Sequence, residues 1–137
     1  MLDSSFDRIY MDRLKSVLLR PELFSKGGAK IVYSNLHGTG GHIIVPLLKE
    51  LGCNVQTVAA QDVQGGRFPT VASPNPENPP ALAMAIEQAD ASGADIVIAT
   101  DPDADRMGVA VRGEDGKMYL LTGNQIGSLL AWYRCMS

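Results

Sequence analysis

Hydrophobic positions along the chain fall into blocks set apart by polar, Gly-rich and Pro-rich punctuation, and the period of the pattern changes from block to block. Over residues 4–20, Phe6, Tyr10, Leu14 and Val17 or Leu18 share one helical face, with Ser4 as N-cap and Pro21 as stop, which predicts an amphipathic helix. After the loop PELFSKGG, the β-branched run AKIVYSN predicts a strand. It leads into LHGTGGH, after which Ile43, Leu47 and Leu51 recur every four residues up to Gly52: a Gly-rich turn, then a helix closed by glycine. NVQTVA reads as a second strand with Val55, Thr57 and Ala59 on one side.

The segment Ala60–Pro80 breaks the pattern, holding five of the eight prolines and two glycines in 21 residues, too interrupted for regular structure. A loop of this length within a compact domain is usually functional or disordered. Helix resumes at Ala81, with Leu82, Ala85, Ile86 and Ala89 inward, and stops at SGAD. DIVIAT is apolar on both faces and so predicts a central strand. MGVAVR and KMYLL flank GEDGK, where Asp115 and Gly116 suit a tight hairpin. Thr122 and Gln125 have capping-box spacing, opening a helix with Ile126, Leu129, Leu130 and Tyr133 on one side. That helix meets the end of the chain without a Gly or Pro stop, as expected of a piece cut from a longer protein.

Alternating β and α units predict a three-layer α/β/α sandwich with a mixed, mostly parallel sheet and an antiparallel edge hairpin. In such sheets ligands gather at the carboxyl ends of the strands, and both chemically loaded loops, HGTGGH and DPDADR, follow strands. At 137 residues and 45% apolar composition the chain fits one domain. A net charge of −3 argues against nucleic-acid binding through a broad basic face. No apolar run approaches the roughly 20 residues that cross a bilayer, and the expected location is cytoplasmic. Cys53 and Cys135 stand far apart with no metal-ligand spacing around them, and read as free thiols.

The chemistry concentrates in TDPDADR. Three carboxylates, Asp101, Asp103 and Asp105, lie within five residues. Held about 4 Å apart at an effective dielectric near 20, each pair repels by roughly 4 kcal/mol, so a cation must compensate or the side chains must splay into water. Carboxylates at alternate positions can converge on one Mg²⁺, an ion that takes hard oxygen ligands and leaves places for water or phosphate. The EF-hand pattern fails, because Arg106 and Arg112 stand where Gly and Glu are needed. A haloacid dehalogenase-type phosphatase would use Asp101 as nucleophile, but Asp105 stands where its motif has Thr or Val; a DxD glycosyltransferase stays open. HGTGGH lacks the third glycine of a dinucleotide fingerprint, since Ile43 occupies that place. His37 is a candidate proton donor or a hydrogen-bonded structural residue, His42 an exposed one, and Arg67 a substrate contact or a solvated side chain. No Ser/His/Asp or Cys/His nucleophile arrangement is present.

TDPDADR, HGTGG, FPTVASPNPENP and LLTGNQIGSLL, in the order HGTGG, FPTVASPNPENP, TDPDADR, LLTGNQIGSLL, closely resemble the second domain of the α-D-phosphohexomutases, the phosphoglucomutase and phosphomannomutase family. The likeness runs from about Gly28 to Trp132. It implies a four-domain enzyme in which this domain binds Mg²⁺ through Asp101, Asp103 and Asp105. A phosphoserine of the first domain would exchange phosphoryl groups with a phosphorylated sugar through a bisphosphate, interconverting 1- and 6-phosphates. Arg106 matches the family arginine near the moving phosphoryl group. The chain lacks a TASHNP-like serine loop and a sugar-selecting GEEMSG-like segment, and VASPNP does not make Ser73 a nucleophile. The expectation is a single domain, a helix at 4–20 and a family-type α/β/α unit at 28–137, whose partners are the other three domains and which is inactive alone. A stand-alone phosphatase and a non-catalytic interaction module are the alternatives.

Overall fold

The computed structural model describes residues 4–136, with all side chains except those of residues 4 and 25–27. The elements are α1 (Ser4–Ser16), α2 (Glu22–Gly27), β1 (Lys30–Ser34), α3 (Gly41–Glu50), β2 (Asn54–Thr57), α4 (Ala59–Asp62), α5 (Pro79–Ser92), β3 (Ile96–Thr100), β4 (Met107–Arg112), β5 (Met118–Leu120) and α6 (Gly123–Met136). The first helix ends before the predicted residue 20, and part of the expected loop PELFSKGG is the helical turn α2. The Ser4 cap falls outside the described side chains.

The sheet order is β2-β1-β3-β4-β5. β1 pairs in parallel with β2 and β3, while β4 is antiparallel to both β3 and β5, so only β4 runs against the other four. The apolar strand β3 is central, as its two-faced hydrophobicity predicts, and β4 and β5 form the edge hairpin. One face of the sheet, Val32, Val97, Ala99 and Ala110, packs beneath α5 and is fully buried. Ala81, Ala85 and Ala89 on α5 are small, which lets the helix approach the strands closely, and Leu82 fills the remaining space.

The opposite face is less completely covered. Ile31, Ile96 and Ile98 border a cavity of about 470 Å³ whose other walls include Leu23, Leu48 and Tyr133. α6 leaves Leu129 and Leu130 more than half exposed, at 54% and 52%, so of the predicted inward face only Ile126 is buried. α1 likewise leaves Phe6 and Tyr10 exposed, because it rests on α3 rather than on the sheet. Met11 is its buried apolar contact, and around it Arg8 and Lys15 pair with Glu50 while His42 Nε2 lies 2.9 Å from Asp7 Oδ2.

The Pro-rich segment is anchored. Pro76 is fully buried against Gly108 of β4, where an added Cβ would lie 2.0 Å from the Pro76 carbonyl oxygen. The short helix α4 places Gln61 in the interior.

Candidate metal centre

Where β3 ends, the chain must turn back at once into antiparallel β4, and residues 101–106 make that turn. The Ala104 N–H donates to the Asp101 carbonyl at 3.0 Å, Asp101 N–H to the Arg106 carbonyl at 3.3 Å, and Ala104 takes a positive φ of 59°. Asp101 is fully buried. Its Oδ1 accepts from the Arg106 backbone N–H at 3.0 Å and its Oδ2 from the Arg106 Nε–H at 2.7 Å. Burial opposes its ionisation, but these Arg106 bonds, with one shared with Asp105, hold the carboxyl below its ordinary value. Asp105 is pushed the other way, by its hydrogen bond with Asp101 and by repulsion from Asp103 and Asp101. The electrostatic cost legible in the sequence is thus met in part by Arg106, which pairs with Asp101 and lies 3.7 Å from Asp105.

One oxygen from each of Asp101, Asp103 and Asp105 lies within 4.8 Å of the others. Cis oxygens on a six-coordinate ion with bonds near 2.1 Å stand about 3 Å apart, so the hard-oxygen donor set fits Mg²⁺ once the loop tightens. Asp103 and Asp105 are exposed, with Asp105 Oδ1 3.7 Å from Arg106 Nε, whereas Asp101 is buried and held by Arg106. The phosphatase alternative requires Asp101 as an accessible nucleophile; its burial and its two engaged oxygens speak against that role. The terminal nitrogens of Arg106, a side chain 56% exposed, make no hydrogen bond among the described residues.

The β1–α3 turn supports this loop directly. Thr39 donates to the Pro102 carbonyl from its backbone N–H at 2.9 Å and its hydroxyl at 3.2 Å. Gly38 allows the approach: a Cβ there would lie 2.3 Å from Pro102 Cα. Beneath the turn, Tyr33 and Thr100 share a buried hydroxyl hydrogen bond of 2.7 Å. Burial raises the Tyr33 phenol above its usual value, against the opposing effect of that bond.

His37 is 3% exposed, with both ring nitrogens bonded, to the Val63 carbonyl and to Thr70 Oγ1. Arg67 is exposed beside a hollow of about 370 Å³ bordered by Val63, Gln64, Gly65 and Pro69. His42 is exposed and Ser73 lies on the surface of the Pro-rich segment. Sequence reasoning missed Ser34, Asn35, Gln61 and Thr70, which are wholly or partly buried polar residues around the turn. Ser34 and Asn35 close the predicted strand AKIVYSN and Gln61 and Thr70 lie in the Pro-rich segment, and neither place by itself signals burial of a polar side chain. Asn35 Nδ2 donates to the Gly38 carbonyl at 2.9 Å.

A family model described as phosphoglucomutase/phosphomannomutase, alpha/beta/alpha domain II, matches residues 8–116. The chain is 44% identical over 106 residues to a phosphoglucomutase of Staphylococcus epidermidis, covering 77% of this chain and 19% of that protein. It is 44% identical over 110 residues to a phosphoglucomutase of Staphylococcus aureus, covering 80% and 20%. It thus spans about a fifth of the length of the curated relatives it matches. Among solved structures, a protein described as a phosphomannomutase from Thermus thermophilus superposes with a TM-score of 0.76 at 26% identity, over 98% of this chain and 29% of that one. A phosphoglucomutase/phosphomannomutase family protein from Burkholderia thailandensis gives 0.64 at 28% identity, over 82% and 22%.

Proposed function

The chain belongs to the phosphoglucomutase/phosphomannomutase family, and on that premise we propose that it forms the Mg²⁺-holding wall of a sugar-phosphate mutase. The observation that carries this reading is the convergence of Asp101, Asp103 and Asp105 at the carboxyl end of the central strand. Mg²⁺ bound there would neutralise charge on a phosphoryl group in transit. Asp101, gripped by Arg106, gives the loop a fixed point, and Asp103 and Asp105 close toward it. Arg106 reaches a phosphoryl oxygen with the terminal nitrogens left over from the Asp101 pair. The exposed Arg67 binds the phosphate of the substrate.

A serine in another domain of the longer enzyme carries the phosphoryl group. It passes to a hydroxyl of the bound sugar monophosphate, and the bisphosphate returns its other phosphoryl group to the serine. Ser73 takes no part. The chain alone is inactive, the working partners being the three remaining domains and a phosphorylated sugar in the cytoplasm. The share of relatives' length that this chain spans supports that division.

The test is conversion of glucose 1-phosphate to the 6-phosphate by the full-length enzyme. Asp103→Asn should lower Mg²⁺-dependent turnover by about a hundredfold or more, the range seen for loss of one strong electrostatic contact to a transition state. Near wild-type turnover would overturn the proposal, as would robust conversion by the isolated chain.

A further inference from the structure

The surroundings of His37 define the direction of its hydrogen bonds. Nδ1 lies 2.8 Å from the Val63 carbonyl, which only accepts, so Nδ1 carries a hydrogen. Nε2 lies 2.8 Å from Thr70 Oγ1, and that same oxygen accepts from Gln61 Nε2–H at 3.2 Å. Gln61 Oε1 in turn accepts from the Ser34 hydroxyl at 2.6 Å, and Ser34 Oγ accepts the Leu36 N–H at 3.1 Å. Each of these bonds has one donor and one acceptor when the Thr70 hydroxyl donates to His37 Nε2. The chain of bonds then runs one way, from the Leu36 N–H to the Val63 carbonyl, through a neutral imidazole.

The backbone of the same residue grips the segment a second time. His37 N–H donates to the Gln61 carbonyl at 2.9 Å and Gly65 N–H to the His37 carbonyl at 3.2 Å. Phe68 packs near the ring, with centroids 6.5 Å apart. Leu36 and His37 hold φ values of 44° and 66°, a left-handed conformation that non-glycine residues adopt only when their surroundings impose it. Val63 and Thr70, the two ring partners, bracket Arg67. Two residues beyond His37, Thr39 bonds Pro102 of the acidic loop.

We propose that His37 is a positioning residue which, as the Nδ1–H tautomer, locks the Arg67-bearing segment to the turn that supports the acidic loop. Being buried, it acts through Arg67 and not on substrate. This rests on the mutase reading, in which Arg67 meets the substrate phosphate.

Two measurements separate the lock from that reading. On this chain, ring ¹⁵N–¹H correlation spectra at pH 8 should give the pattern of a neutral His37 protonated on Nδ1; the Nε2–H tautomer or a charged ring would overturn the proposal. Exchange protection of the Gly65 and Phe68 amides should fall about tenfold in His37→Gln, or in the milder Thr70→Val if the first variant does not fold, since a single net hydrogen bond is worth about that factor. Unchanged protection would also overturn it. In the full-length enzyme, either variant should raise KM for the sugar phosphate by about tenfold with kcat little changed, and add nothing in an Arg67→Ala background. Additive effects would refute the coupling. If Arg67→Ala leaves KM unaltered, the substrate role of Arg67 falls, and the spectra and exchange data still decide the lock.

Discussion

The three aspartates of the acidic loop are chemically alike and structurally different. Asp101 is fully buried with both oxygens engaged by Arg106, while Asp103 is exposed. Replacing Asp101 by Asn keeps the shape but sets an amide N–H against the Arg106 Nε–H and removes the charge that guanidinium faces. Asp101→Asn should therefore destabilise the domain by about 1–3 kcal/mol, the cost of an unsatisfied buried polar pairing. Asp103→Asn should stay within about 0.5 kcal/mol of the parent, as surface substitutions do. Chemical denaturation of both variants in chelator checks this; equal losses of stability would refute the division between an anchoring and an exposed carboxylate. The sequence displayed the three charges but not their inequality, because burial depends on the turn from β3 into β4, a tertiary feature. It likewise displayed Arg106 without its partner.

Among elements, the strands, α3, α5 and the capping box were legible because each has a strong local period or a paired signal. Thr122 and Gln125 make the predicted reciprocal bonds, Gln125 N–H to Thr122 Oγ1 at 3.2 Å and Thr122 N–H to Gln125 Oε1 at 2.8 Å. What period could not give is which neighbour an amphipathic helix meets. α1 and α6 both carry apolar stripes, yet α1 buries Met11 and meets α3 with ion pairs around it, and α6 buries Ile126 alone of its predicted inward face. For α1 this has a pH consequence. Glu50 is held below its ordinary value by its hydrogen bond from Lys15, against some desolvation, and by Arg8. A carboxyl with a depressed folded value contributes stability that is present above the unfolded value, near 4.3, and is lost as pH falls through the lower folded value. Amide protection factors in α1, corrected for intrinsic exchange, should thus drop below about pH 4 ahead of those in β3. Glu50→Gln should lower α1 protection at neutral pH and remove this acid step; a step that persists in Glu50→Gln would assign it to another group.

For the whole molecule, a metal ion held by one buried and two exposed carboxylates would link metal binding to folding. The three ligand oxygens lie within 4.8 Å of one another, and a bound Mg²⁺ would hold cis oxygens about 3 Å apart, so any excess spacing would be closed on binding at some cost. The framework fixes both ends of the loop and leaves that adjustment to its middle: Thr39 holds Pro102, Arg106 holds Asp101, and Pro76 packs on Gly108 at the base of the returning strand. An ion that binds the folded form alone stabilises it by RT ln(1 + [L]/Kd), about 1.4 kcal/mol at a tenfold excess over Kd, which for a domain of this size raises Tm by roughly 4 °C. Thermal unfolding of this chain in Mg²⁺ against chelator should display that rise, saturating with concentration and vanishing in Asp103→Asn, whose fold is otherwise intact. The same measurement distinguishes a coordinated ion from general screening. Screening needs no particular ion, so an equal rise with Na⁺ at matched ionic strength, or a Mg²⁺ rise that persists undiminished in the variant, would refute the metal centre.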